Sequence, residues 1–214
     1  IKRVNLRLWR FFNKRMERKE ILIKAQEHIR ETFLKEGTGH DYYHIERVVI
    51  NAKKILKTEQ ADDFLVELAA WLHDVGDHKL HNGVDKSEEL INVFLKSLAV
   101  EQSIIDRIIE IVSQVSFSKG NKPSSIEAEI VQDADRLDAI GAIGIARCFA
   151  YGGSKNRILY SPDEKEKEDS SIQHFYDKLF KLKDLMNTES AKLIANQRHS
   201  FMEAYIAEFY REVE

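Results

Sequence analysis

The stretch Phe64-Leu65-Val66-Glu67-Leu68-Ala69-Ala70-Trp71-Leu72 is apolar at every position but one, and it runs straight into His73-Asp74-Val75-Gly76-Asp77-His78-Lys79. A helix that is apolar nearly all round belongs inside a protein, surrounded by other helices. Asp62 and Asp63 suit the capping of its start, and Gly76 offers the left-handed turn that ends it. An imidazole and a carboxylate are thereby placed at the closing turn of a core helix, where the backbone carries partial negative charge and favours a cation. A buried, adjacent His and Asp is unfavourable without a positive partner, which makes a metal ion the natural third party. The plainer use of the same pair is to satisfy helix-end carbonyls at the surface.

Outward from this stretch, long patterns of 3.6-residue period dominate, strand-like alternation is scarce, and Gly and Pro number only nine and two. The expected fold is all-α. With 214 residues, 43% hydrophobic and 32% charged, the chain has the apolar content for one sizeable core. The single cysteine, Cys148, excludes an internal disulfide and fits a reducing cytoplasm. There is no membrane-length apolar run and no signal-peptide pattern. Residues 1–15 hold Lys2, Arg3, Arg7, Arg10, Lys14 and Arg15 with no acid; removing that +6 from the total of −3 leaves −9 on the rest. Residues 1–15 read as a basic extension ahead of a native-like start at Met16, and 16–214 as one domain. Nucleic-acid binding would rest on that extension alone, and the acidic remainder disfavours it.

Ahead of the core helix, residues 17–36 have helical spacing and end at Gly37 and Gly39. Asp41 is a suitable N-cap for a helix running to about Leu56, on which His44, Arg47 and Asn51 share one side. His44 is there either a packed core residue or, beside Arg47, part of an anion site. Helices at about 84–98 and 101–115 look like packing elements, and Ser116–Ser125 is a loop. In Ile126–Ile140, Asp133, Asp135 and Asp138 interrupt a core-facing pattern; Asp135 and Asp138 share a face and Asp133 points elsewhere. Aspartate is a poor mid-helix residue and unfavourable to bury, so these are either surface carboxylates or metal carboxylates. The helix Ala139–Tyr151 is predicted to stop at Gly152-Gly153. Lys155 and Arg157 then lie within reach of a phosphate. Ser170 or Ser171 caps a further helix with His174, Lys178 and Lys181 along one side, and a last helix starts at Thr188.

His44, His73, Asp74 and Asp135 together make a mixed nitrogen and oxygen ligand set without thiolate, suited to Mn, Fe, Zn, Ni or Co. In this order and spacing the set resembles the HD superfamily of metal-dependent phosphohydrolases. His40-Asp41-x-x-His44-x-x-Arg47-Val48, His73-Asp74-x-x-Asp77-x-Lys79 and Ala134-Asp135-Arg136-Leu137-Asp138-Ala139 are similar to its small bacterial branch of nucleotide pyrophosphohydrolases. Tyr151-Gly152-Gly153 and His174-Phe175-Tyr176 extend the likeness, which covers most of 17–214.

The resemblance implies a compact helical HD domain whose metal site lies between core helices, with His44, His73, Asp74 and Asp135 as ligands. Asp133 is the rival to Asp135, and His40 is taken as a non-ligand. Two-metal members need two further His between the HD pair and the last Asp; only His78 and His81 occur there, so one divalent transition metal is expected, with Mg also admissible. The same lack argues against oxidative di-iron chemistry. Asp77 is then the candidate general base for a water on the metal. Cations should surround the phosphoryl oxygens: Arg47 and Lys79 as catalytic and substrate-binding residues, then Lys178, Lys155 and Arg157. The expected reaction is hydrolysis of a small phosphorylated compound, most specifically a (deoxy)nucleoside triphosphate to its monophosphate and pyrophosphate. A homodimer is compatible. The alternative is a non-catalytic nucleotide-sensing or metal-tied binding module, against which Asp77 and Arg47 argue.

Overall fold

A computed structural model describes residues 16–34, 41–78, 81–115 and 122–213, and among these the regular structure is helical with no strand. In chain order the helices are α1 (Arg18–Phe33), α2 (Tyr42–Ile55), α3 (Asp63–Leu72), α4 (Ser87–Ser97), α5 (Gln102–Ser113), α6 (Ile126–Asp138), α7 (Gly141–Ser154), the short α8 (Glu164–Lys167) and α9 (Gln173–Asp177), a 3₁₀ segment (Leu179–Leu185), and α10 (Glu189–Val213). His40, Lys79, residues 1–15 with their proposed extension, the glycines 37 and 39, and most of the loop 116–125 lie outside the described residues.

Helix α3 is the centre of the fold. All of its residues except Asp63 and Glu67 are buried, which removes nearly every face from water. At about 1.5–3 kcal/mol for each large apolar side chain buried, this one helix contributes much of what holds the domain together. It starts where Asp62 accepts hydrogen bonds from the Phe64 and Leu65 amides. Helices α2 and α6 pack on it and still more closely on each other, while α1 and α5 flank it, α1 through Ile21, Ala25, Ile29 and Phe33 at four-residue intervals. Helix α10 closes the far side against α7 and α6.

Two glycine assignments differ from expectation. Gly76 does not have a positive φ. Its constraint is steric, because a Cβ there would collide with the Ser87 backbone, and its carbonyl accepts the Lys86 amide at 2.9 Å. The turn carrying His73 and Asp74 is thus clamped against the start of α4. The pair Gly152-Gly153 does not stop α7, which continues to Ser154. Gly152 is needed for closeness instead, since a side chain would strike the Ser171 hydroxyl. The break between α6 and α7 falls at Gly141, whose φ is +78°.

Candidate metal centre

The three central helices deliver the candidate ligands to one point. Asp41 caps α2 by accepting the His44 amide at 2.7 Å, which places His44 in the first turn, fully buried. His73 and Asp74 sit in the turn that follows α3, each 6% exposed, and Asp135 rises from the last turn of α6 with its side chain 27% exposed. His44 Nε2 lies 3.5 Å from Asp74 Oδ2 and 3.5 Å from Asp135 Oδ1. His73 Nε2 lies 3.5 Å from Asp74 Oδ1 and 3.9 Å from Asp135 Oδ1. The closing atoms of His44, His73 and Asp135 all fall within 4.8 Å of one another.

These residues fit a cation. Ligand atoms held at about 2.1 Å from one ion stand roughly 3.0–3.4 Å apart, close to the spacings here. The tautomers are also prepared. His73 Nδ1–H donates to the Ala70 carbonyl at 2.9 Å, which leaves Nε2 with its lone pair, buried and without a hydrogen-bond partner. A buried polar atom of that kind is unfavourable unless something outside the protein completes it.

His44 is held by Asp138, a residue the sequence placed on the Asp135 face without giving it a role. His44 Nδ1–H donates to Asp138 Oδ2 at 2.7 Å. The same carboxylate accepts from Arg47 Nε (2.7 Å) and Nη2 (3.1 Å) and from Arg147 Nη1 (2.7 Å). Burial alone would raise the Asp138 pKa; the hydrogen bonds from His44 and Arg47 and the charge of Arg147 overcome it and hold the carboxyl well below its usual range. Burial likewise opposes charge on His44, but its bonds to Asp138 and Asp74 outweigh that and push its pKa up to about 9. The neighbouring carboxylates thus favour a proton on His44, and a cation bound at its Nε2 would have to displace that proton.

Asp133 is used differently. Fully buried, it accepts the Asn187 and Thr188 amides (2.9 and 2.8 Å), the Asn187 side-chain amide (2.9 Å) and the Thr188 hydroxyl (2.9 Å). It anchors the start of α10. Of the two rivals, Asp135 lies beside His44 and His73, whereas Asp133 is engaged by Asn187 and Thr188.

The remaining candidates are more scattered. Asp77 is half-buried, three residues beyond Asp74, with its amide on the Asp74 carbonyl at 3.1 Å and a carboxylate oxygen 3.3 Å from His78 Nδ1. Arg47 reaches the centre by way of Asp138, which takes two of its five N–H donors; its side chain is 32% exposed. Lys79 lies outside the described residues. Lys155 caps the end of α7, Arg157 follows two residues later, and Lys178 caps the end of α9. Lys155 Nζ stands over the Tyr151 ring; burial, then the charges of Lys178 and Arg157, lower the pKa of His174. His81 Nε2–H donates to the Val75 carbonyl at 3.0 Å. Asn51, which shares a helix side with His44, ties α6 and α10 together through the Ala134 carbonyl (3.2 Å) and Arg198 (3.0 Å). Arg147 carried no sequence signal, because it lies nine residues beyond Asp138 on the far side of a turn.

Fold and site define a class: an all-helical protein that gathers two imidazoles and two carboxylates from three core helices. The HD domain family model matches residues 41–140. YpgQ of Bacillus subtilis is 41% identical over 182 residues, covering 83% of this chain and 86% of YpgQ. An HD-superfamily hydrolase from Bacillus thuringiensis superposes with a TM-score of 0.77 at 41% identity, and B. subtilis YpgQ in complex with ADP with 0.75 at 38%. Each superposition covers 92% of this chain and 98% of the other. The chain belongs to the HD-domain family of metal-dependent phosphohydrolases. HD domains hold divalent metal ions. Among the described residues, no helix is long and apolar enough to cross a membrane.

Proposed function

We propose that this chain hydrolyses nucleoside triphosphates, releasing pyrophosphate, with one divalent transition metal held by His44, His73, Asp74 and Asp135. The observation that carries the reading is the convergence of these four side chains around His73 Nε2, a buried nitrogen with no hydrogen-bond partner. Mixed nitrogen and oxygen donors suit Mn, Fe, Co, Ni or Zn. Bound there, such an ion supplies Lewis-acid polarisation of a phosphoryl oxygen and acidifies a water. The protein's own part is positioning and proton transfer. Asp77 takes a proton from the water whose oxygen attacks the α-phosphorus, while the bond to the pyrophosphate oxygen breaks. Arg47, held to Asp138, and Lys79 offset the charge that spreads over the phosphoryl oxygens. A nucleotide as substrate is supported by the relative YpgQ, whose structure was solved with ADP.

The test is a screen of metal-analysed protein against nucleotides with Mn, Fe, Co, Ni, Mg and Zn. Metal-dependent release of pyrophosphate from a triphosphate supports the reading. Binding of nucleotide without turnover in any metal would favour a sensing module instead.

A further inference from the structure

Ile143, Arg147, Tyr151 and Lys155 follow one another at four-residue intervals, so they lie along one face of α7 and its C-terminal cap. The foot of this stripe is fastened to the metal centre, since Arg147 Nη1 donates to Asp138 Oδ2 at 2.7 Å and Asp138 holds His44. Tyr151 stands one turn, about 6 Å, further along the helix. Its neighbour Phe149 is packed against Phe175 and Tyr205, whereas Tyr151 is 45% exposed. Long side chains on a helix tend to lean toward its N-terminus, which from Tyr151 is the direction of the turn that carries Arg147. Lys155 leans the same way, its Nζ 5.7 Å from the Tyr151 ring centroid. A lone exposed tyrosine calls for no explanation. One with a cation over its ring and an arginine one helical turn before it, on a track that begins beside the metal ligands, has the composition of a nucleotide subsite.

Resting on the nucleotide reading above, we propose that Tyr151 is the platform on which the base of the bound nucleotide stacks, with Arg147 toward its phosphates and Lys155 bordering the ring. Stacking uses the π-face that every base has and reads no hydrogen-bond pattern. The subsite therefore requires a base while accepting both purines and pyrimidines.

The experiment measures binding of ADP and of pyrophosphate to the full chain loaded with Mn, for wild type, Tyr151→Ala, Tyr151→Phe and Lys155→Ala. Wild type is expected to hold ADP more tightly than pyrophosphate. Tyr151→Ala should lose ADP affinity by roughly ten-fold or more, while Tyr151→Phe stays near wild type. Pyrophosphate affinity should hardly move in either variant, and Lys155→Ala should weaken ADP less than Tyr151→Ala does. Because the ring is exposed, all three variants should melt close to wild type. Equal loss of ADP and pyrophosphate affinity would mean a structural role and overturn the proposal, as would unchanged ADP binding in Tyr151→Ala. A wild type that binds both ligands equally has no base subsite, which sinks this inference alone. A wild type that binds neither sinks the nucleotide reading and this inference with it.

Discussion

Replacing Asp138 with asparagine tests how the metal centre is held rather than what it is made of. The shape of the side chain is kept, and its remaining carbonyl oxygen can still accept from His44 Nδ1–H. The negative charge that His44, Arg47 and Arg147 share is lost. Outer partners of metal-bound histidines are worth roughly 10- to 100-fold in affinity, so the variant should bind Mn or Zn weaker by that factor. The pH dependence carries further information. Asp138 is a main reason that the His44 pKa sits near 9 in the metal-free protein, and the incoming ion must displace that proton. Without the charge His44 loses its proton more readily, so proton competition relaxes. Wild-type affinity should climb as pH rises from neutrality toward 9, whereas the variant's curve should start lower and flatten earlier. Competition against a chelator over that range measures both effects. An affinity within experimental error of wild type, with the same pH slope, would refute the idea that Asp138 orients and charges His44.

Asp77→Ala should keep its metal and lose roughly 10²- to 10⁴-fold in turnover, read from pyrophosphate release beside metal content; full activity would remove Asp77 from the mechanism. Asp133→Ala strips the start of α10 of four donors' acceptor and should destabilise the fold by about 3 kcal/mol or more, with little direct effect on metal affinity. An unchanged Tm, or a large loss of metal affinity in a variant that remains folded, would contradict the separation between Asp133 and Asp135. In chelator, His44 has a folded pKa of about 9 against an ordinary value of 6.5, so its contribution is fully present below about 6.5 and is lost as pH rises through 9. Relative to His44→Gln, metal-free wild type should therefore lose stability, on the order of 3 kcal/mol, between about pH 6.5 and pH 9.5 in urea titrations. A constant difference between the two proteins would show that His44 is not charged there.

What the sequence made legible was local chemistry. The all-apolar run 64–72 marked the central helix, and Asp41 and Asp62 marked helix starts, because an N-cap is settled by residues two or three positions away. The candidate cluster that the structure brings together was readable because imidazoles and carboxylates stood where apolar residues were due. The division of labour among three aspartates was not readable from spacing. Asp133 is claimed by Asn187 and Thr188 at the far end of the chain, and Asp138 by His44 and Arg47 from a much earlier helix and by Arg147 across the turn into α7. Gly76 was visible as an exception, yet its cause is the Ser87 backbone across the clamp rather than its own φ. Gly152 and Gly153 looked like a helix end because nothing in the local pattern announces Ser171 on the other side.

The most direct measurement is a crystal of the Mn-loaded protein with anomalous scattering recorded for the ion. The account predicts one strong peak per chain, about 2.0–2.2 Å from His44 Nε2, His73 Nε2 and oxygens of Asp74 and Asp135. An ion bound elsewhere, a second ion of equal strength, or Asp135 turned out to solvent with the ion in place would contradict it.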